Sequence, residues 1–283
     1  MIDSSDRFPL SKVQYFFGRE DIENFDNATF SHLQKLIAIE ADLLHPTADA
    51  LLQSFQSGQA IIALDNSSEK RPIGYVRLEP LLSNSIRKGL GLTDGFPEIA
   101  ELGTMFVEEG LQYRGKGHMR KMCNQLFEAK HQELSDCKLL VIGTAKDYRV
   151  ISTLQRISSA HFEVCHHLDL PHLAALTCIC NGTFGSGFQN NPLECNARLD
   201  NFYLGKVDEL ARHLKETSST KIRCVMFVSN KELALKIDAE LAKLFSAESS
   251  VMDLRDRLME LGYYPDNKTF FSVESLMKSA VKY

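Results

Sequence analysis

The sequence lacks several features that mark common classes of protein. It has no polybasic block and a formal net charge of -5, so a nucleic-acid partner is not expected. No apolar run reaches the roughly 20 residues of a membrane-spanning helix, and the first residues lack the basic start and apolar stretch of a secretory signal. Seven unevenly spaced cysteines do not predict a disulfide framework. We expect a cytoplasmic protein with reduced thiols and no membrane association.

A metal site is not expected either. The cysteines and histidines between Cys165 and Cys180 fit no common zinc-ligand spacing, and C-x-x-C is missing. Cys178 and Cys180 alternate with Thr177 and Ile179, which is typical of packing in a strand. The 44% apolar and 24% charged content over 283 residues predicts an ordinary globular protein of one or two domains.

The centre of the chain has a strand, a basic glycine loop and a helix in succession. An apolar run at 102–107 has strand character, and Gln112-Tyr113-Arg114-Gly115-Lys116-Gly117 follows it after a short turn. A helical period then begins at once; its apolar residues are Met119, Met122, Cys123, Leu126 and Phe127. Glycines let a backbone approach a ligand closely, and a helix start attracts anions. This unit predicts a phosphate or pyrophosphate site.

Two nucleotide-binding motifs fit the loop incompletely. Gly110, Gly115 and Lys116 approach G-x-x-x-x-G-K-[ST], but position 117 is Gly, so the hydroxyl that would hold magnesium is missing. The dinucleotide pattern G-x-G-x-x-G also fails, because Arg120 stands at its last position. A nucleotide-binding protein remains an alternative.

The segment Q-Y-R-G-K-G resembles the acyl-CoA motif Q/R-x-x-G-x-G/A of the GNAT superfamily of N-acetyltransferases, and the resemblance covers about residues 20 to 185. It implies that the loop amides hold the CoA pyrophosphate and that the end of the preceding strand pairs with the pantetheine arm. The residues implied to bind the cofactor are Met105, Phe106, Val107, Gln112, Tyr113, Arg114, Gly115, Lys116, Gly117 and His118.

The same resemblance implies catalytic roles. Glu101 lies eleven residues before Gln112, the offset of the general-base glutamate in histone-type members. A bulge on this strand, which Gly103 suggests, would leave a backbone N–H near Met105 or Phe106 as oxyanion donor. The family's usual acidic tyrosine is replaced by Leu154, which leaves a non-catalytic CoA-binding protein as an alternative.

The rest of the chain agrees with the family's order of elements. The lead-in predicts a strand at 13–17, helices at 21–41 and from 46, and strands at 60–64 and 73–78. After the centre we predict a buried parallel strand, a helix and a final strand pair; their ranges are 139–143, 147–158, 162–164 and 173–180.

The Gly- and Asn-rich stretch 181–192 predicts a boundary. We expect a GNAT-like domain at 1–185 and a C-terminal α/β domain at 193–283. The second would contain a strand at 222–228 and three helices, at 199–214, 231–245 and 252–261. It would be an appendage, a homodimerisation element, or a degenerate second acyltransferase-like fold.

The sequence thus predicts an α/β protein with a GNAT-like mixed central sheet flanked by helices and a small C-terminal α/β appendage. The implied function is N-acetylation, with acetyl-CoA as donor and a primary amine as acceptor, either a small molecule or a protein lysine or N-terminus. E-L-x-T-x-F before the loop also resembles arginine N-succinyltransferases, so a succinyl donor is a second option.

Overall fold

The computed structural model describes residues 13–18, 21, 25–39, 46–66, 71–110, 112–165, 169–177, 221–244 and 250–263. In this part of the chain, seven strands form one mixed sheet in the order β1-β2-β3-β4-β5-β7-β6. The strands are β1 (Val13–Phe17), β2 (Ala60–Asp65), β3 (Arg71–Pro80), β4 (Glu98–Val107), β5 (Leu139–Asp147), β6 (Glu163–Cys165) and β7 (Lys221–Val228).

Helices pack against both faces of the sheet. Among the described residues, no helix has both the length and the apolar content to cross a membrane. One face carries α4 and α6; the other carries α1 and α2 under β2 and β3, and α7 to α9 under β5 and β7. The helices are α1 (Asn27–Ile37), α2 (Ala48–Gln56), α3 (Asn84–Gly89), α4 (His118–Ala129), α5 (His131–Ser135), α6 (Tyr148–Leu154), α7 (Pro171–Thr177), α8 (Lys231–Lys243) and α9 (Ser250–Glu260).

The first half of the predicted order is confirmed. β1 to β4 pair antiparallel in sequence order, and β5 pairs parallel with β4. Asp26 and Thr47 accept hydrogen bonds from backbone amides at the starts of α1 and α2, which is why these helices begin there. The connection between β3 and β4 contains the short helix α3, capped by Ser83.

The strand predicted at 173–180 is wrong. Residues 171–177 form α7, and 178–180 lie outside the described residues. Pro171 occupies the first helical position, which Pro favours. Asp238 of α8 accepts hydrogen bonds from the backbone N–H groups of His172 and Leu173, both at 2.9 Å, and therefore caps α7 from a distant part of the chain.

The partner of β6 is β7, from the segment that was predicted as a C-terminal domain. β7 lies between β5 and β6 and pairs antiparallel with both. The helices predicted at 231–245 and 252–261 are confirmed as α8 and α9, and their apolar residues share one hydrophobic cluster with Leu140 and Ile142 of β5. The predicted boundary at 181–192 and the helix at 199–214 lie outside the described residues.

The buried cap of α7 gives a test of this shared core. Asp238 also pairs with His172 Nδ1 at 3.0 Å. We expect Asp238→Ala to lower the free energy of unfolding by about 2–4 kcal/mol, because a helix cap and a buried hydrogen-bonded pair are both lost. Urea denaturation measures this. The matched control is Glu240→Ala on the same helix, whose partner Lys243 is exposed, and we expect a change of less than about 0.5 kcal/mol. Equal stability of the two variants would contradict the assignment.

Candidate functional site

The sheet is split between β4 and β5. Their parallel pairing runs from Glu98 opposite Leu139 to Glu101 opposite Ile142 and is not continued beyond. Further along, β5 is paired with β7, while β4 continues to Val107 paired with β3 alone. The described strands therefore leave one edge of β4, from Leu102 to Val107, without a partner strand.

A bulge in β4 lies where the split begins. The register with β3 shifts between Tyr75 and Arg77, and Thr104 has a positive φ of 48°. This conformation is unfavourable for a β-branched residue and costs on the order of 1–3 kcal/mol. The Oγ1 atom of Thr104 is buried and has no hydrogen-bond partner among the described residues. The bulge that Gly103 suggested is therefore present, and the strained backbone conformation is at the next residue, Thr104.

The register also indicates which peptide groups face the unpaired edge. The Glu108 N–H donates to Ile73 O of β3 at 2.7 Å. Because peptide groups alternate in direction along a strand, the Phe106 N–H also faces β3, whereas the peptide groups of Met105 and Val107 face the edge that β5 leaves unpaired. Arg114 Nε already donates to Val107 O at 3.4 Å.

The loop after β4 is partly held by its own backbone. The amides of Tyr113 and Arg114 both donate to Gly110 O at 3.0 Å, and the Lys116 amide donates to Tyr113 O at 3.3 Å. Gly115 and Gly117 have φ values of 76° and 80°. A Cβ added to Gly115 would meet no atom of the described residues within 4 Å, so this part of the structure leaves the space beside the loop open.

The start of α4 can attract an anion. Gly117 is its N-cap residue, and no side chain caps the helix, so the first-turn amides, from His118 onwards, lack a capping partner there. Lys116 and Arg120 are exposed nearby, and Arg120 Nη2 lies 3.9 Å from where a Gly117 Cβ would be. Three features therefore coincide: unused amides, positive charge and free space.

His118 is held by a contact to the edge strand. Its Nδ1 is 2.6 Å from the Tyr15 hydroxyl of β1. Burial, followed by the positive charge of Lys121, lowers the pKa of His118, so the imidazole is neutral at pH 7. Any positive charge at this helix start comes from lysine and arginine.

The side chain of Tyr113 points into the protein rather than toward the open space. It is buried, and its hydroxyl donates to Asp65 of β2 and accepts from Arg71 Nη2 of β3 at 3.3 Å. Arg71 in turn forms an ion pair with Glu108 at 2.9 Å. This network fixes the loop to two strands, so Tyr113 anchors the loop and its side chain is not available to a ligand.

Glu101 is buried, with 8% of its surface exposed. The neighbouring carboxylates differ: Glu98 is exposed, while Glu108 and Glu109 form ion pairs with arginines. Glu101 lies opposite Glu79 of β3 in the register. It is therefore shielded from bulk solvent, on a strand next to the split.

Leu154, at the position of the family's acidic tyrosine, is 1% exposed and packs in the apolar cluster under α4. It cannot donate a proton to a leaving group.

Comparisons with known proteins give fold likenesses only. No family model and no curated protein match the sequence. Similar solved structures include the Mycobacterium tuberculosis protein Rv2747 in complex with CoA, at 13% identity over 76% of this chain and 97% of that one, TM-score 0.36. An agmatine N-acetyltransferase has 13% identity over 54% and 83%, TM-score 0.36. The Escherichia coli GNAT family N-acetyltransferase YhbS with CoA has 17% identity over 57% and 74%, TM-score 0.34. At these TM-scores the likenesses carry no argument about activity.

The chain's own geometry defines its class. The order of elements from β1 to β6, the bulged β4, the split beside it and the glycine loop leading into α4 are the features that the sequence resemblance implied. The chain is an α/β protein with a seven-stranded mixed sheet flanked by helices on both faces.

Two charged residues near the split, the buried Arg77 and the half-buried Glu79, were missed by sequence reasoning. Arg77 and Glu79 lie on β3 in the run Y-V-R-L-E-P, where charges alternate with apolar residues. That alternation places them on one face of the sheet and was the available signal.

Proposed function

We propose that this protein is an acyl-CoA-dependent N-acyltransferase that uses acetyl-CoA and a primary amine. One observation carries the proposal: the unpaired edge of β4 leads into a loop with two left-handed glycines and an uncapped helix start. An acyl-CoA fits this arrangement, because its pantetheine arm carries amide groups that can lie along the strand edge and its diphosphate lies beyond them, at the loop.

Binding of the donor is assigned to backbone groups. The amides of Gly115, Gly117 and His118 are suited to the diphosphate, with Lys116 and Arg120 adding charge. The amides of Tyr113, Arg114 and Lys116 already donate hydrogen bonds to carbonyl oxygens within the loop. Along β4, the peptide groups of Met105 and Val107 are suited to the amides of the pantetheine arm.

The chemistry follows from the neighbouring groups. A primary amine is protonated at neutral pH, and Glu101 takes its proton, directly or through water. The free amine attacks the thioester carbonyl carbon, and the resulting oxyanion accepts a hydrogen bond from the Met105 N–H. The C–S bond then breaks, the nitrogen loses its second proton, and the CoA thiolate is protonated. The products are an amide and CoA.

Departure of the thiolate proceeds without a side-chain acid from the position of Leu154, which is buried in the core. A thiol has an ordinary pKa of about 8.5, so a thiolate is a far better leaving group than an alkoxide. Because Leu154 cannot supply a proton to the thiolate, a non-catalytic CoA-binding protein is a second candidate function.

A thiol-release assay tests the proposal. Purified protein is given acetyl-CoA with a panel of primary amines, and free CoA is measured together with the acylated product. Amine-dependent release is the expected result, and parallel reactions with succinyl-CoA test the other donor. Binding of CoA without release on any amine would support the non-catalytic candidate. Binding of ATP in preference to CoA, measured by calorimetry, would contradict both.

A further inference from the structure

Thr104 lies at the point where β4 separates from β5. The carbonyl oxygen of Leu102 is still next to β5, because it lies 3.1 Å from the position of a Cβ added at Gly143. Among the strands that the structure describes, none other than β3 pairs with β4 from Met105 onwards. Leu102 and Met105 both pack in the cluster with α4 and α6, whereas regular alternation would put them on opposite faces. The bulge therefore inserts an extra residue between them, directly at the start of the split.

Two unfavourable features coincide at Thr104. Its φ of 48° is in the left-handed region, which β-branched residues avoid. The residue is 7% exposed, and its buried Oγ1 atom has no hydrogen-bond partner in the part of the chain that the structure describes. A hydroxyl that has left water without gaining a protein partner is itself destabilising. Both features concern the same side chain, at the same end of the split.

The bulge does not require a threonine at this position. Glycine adopts a positive φ without this strain, yet the glycine of the bulge is Gly103, whose φ is not positive. The strained position instead carries a side chain with a hydroxyl group. Residues held in such conformations cluster at active sites and ligand clamps, and a buried polar atom without a protein partner is available to a bound molecule. The Thr104 hydroxyl is therefore a candidate contact for a ligand in the split.

The Thr104 hydroxyl is close along the chain to the oxyanion donor of the proposed reaction. The carbonyl carbon of Thr104 is bonded to Met105 N, and the Met105 peptide group faces the unpaired edge of β4. The hydroxyl and the Met105 N–H are both hydrogen-bond donors, and a carbonyl oxygen has two lone pairs that can accept from both. A thioester carbonyl bound at this edge can thus be held by two donors from adjacent residues.

Resting on the proposed function, we propose that Thr104 is a further catalytic residue, whose hydroxyl donates a hydrogen bond to the thioester carbonyl oxygen. As the amine nitrogen bonds to the carbonyl carbon, the π electron pair of the C=O bond moves onto this oxygen. The hydrogen bond then strengthens, because its acceptor has become an anion. Threonine keeps its proton throughout. The electron pair returns to the C=O bond when the C–S bond breaks and the thiolate leaves.

Thr104→Val tests this assignment, because it keeps the β-branched shape and removes the hydroxyl. We expect kcat to fall about 100-fold, the usual effect of losing one oxyanion donor. The Kd for CoA should stay within about twofold, since the free thiol has no carbonyl group to bind. The melting temperature of the free protein should rise by about 2–4 °C, because valine removes an unpaired buried hydroxyl. Calorimetry and steady-state kinetics measure these changes. A variant that is more stable and yet slower is not explained by a structural role.

Thr104→Ser is the matched control. Serine keeps the hydroxyl and removes only the methyl group, so we expect kcat within about fivefold of the wild type. Equal losses of kcat in the valine and serine variants would mean that the threonine acts through packing, and the proposal would be overturned. A valine variant that melts below the wild type would also overturn it, because the hydroxyl would then stabilise the ligand-free protein.

A spectroscopic readout separates this assignment from the transfer function. Acetyl-CoA labelled with ¹³C at its carbonyl carbon is bound to each protein without an amine, and isotope-edited infrared spectroscopy gives the carbonyl stretching frequency. Hydrogen bonds to the oxygen lower this frequency, so we expect a shift in the wild type and in Thr104→Ser that is smaller in Thr104→Val.

The outcomes of the two experiments are distinct. If the infrared shifts occur while no amine releases CoA, the transfer function is wrong and the contact between Thr104 and the carbonyl stands. If amines release CoA but the frequency is the same in the wild type and Thr104→Val, the Thr104 assignment is wrong and the transfer function stands. A wild-type protein that binds neither acetyl-CoA nor CoA would contradict both.

Discussion

Replacement of Gly117 by valine is expected to weaken CoA binding at least about 100-fold, or about 2.7 kcal/mol. Gly117 has a φ of 80° at the N-cap of α4, a conformation that a β-branched residue adopts only with strain. The valine side chain would also occupy the space in front of the helix start, where the diphosphate is proposed to bind. Isothermal titration calorimetry with CoA measures the loss.

The chain offers a matched control for the backbone strain. Gly262, in the turn after α9, also has a φ of 80°, and a Cβ there would meet no atom within 4 Å. We expect Gly262→Val to lower the free energy of unfolding by about 1–2 kcal/mol and to bind CoA like the wild type. CoA affinity that falls equally in both variants would mean that Gly117 acts through folding alone.

Glu101→Gln is expected to lower kcat by about 10²- to 10⁴-fold while KM for acetyl-CoA changes little. Glutamine keeps the size and hydrogen-bonding capacity of the buried side chain but cannot accept the acceptor's proton. The residual rate should rise with pH, because only the free amine reacts without a base. Steady-state kinetics between pH 6 and 9.5 measure both effects.

Glu98→Gln is the control on the same strand. Glu98 is exposed at the start of β4, and we expect kinetics within about twofold of the wild type. If Glu101→Gln also keeps wild-type kinetics across this pH range, Glu101 is not the base and the second carboxylate, Glu79, becomes the residue to test.

Local patterns were sufficient to predict most of the sheet and the loop. Continuous apolar runs identified β2, β5 and β7, and the glycine pair before a helical period identified the loop and α4, because both signals are contained within about a dozen residues. The burial of Glu101 and the direction of Tyr113 required the neighbouring strands, which come from other parts of the sequence.

The failed prediction at 173–180 has a long-range cause. An apolar run of this length suits a buried strand or a buried helix, and Asp238, about 65 residues away, caps the helix. The sequence also could not predict that Glu79 lies opposite Glu101, because this depends on the β3–β4 register and on the bulge at Thr104.

The insertion of β7 between β5 and β6 has a consequence for biosynthesis. β5 ends about 80 residues before β7 does, and translation at roughly 5–20 residues per second makes that an interval of several seconds. During this interval the nascent chain presents β5 as an apolar strand whose free edge can pair with another chain. Slow translation of this stretch would prolong that exposure, so the yield of folded protein should depend on elongation rate and on chaperones that shield the open sheet.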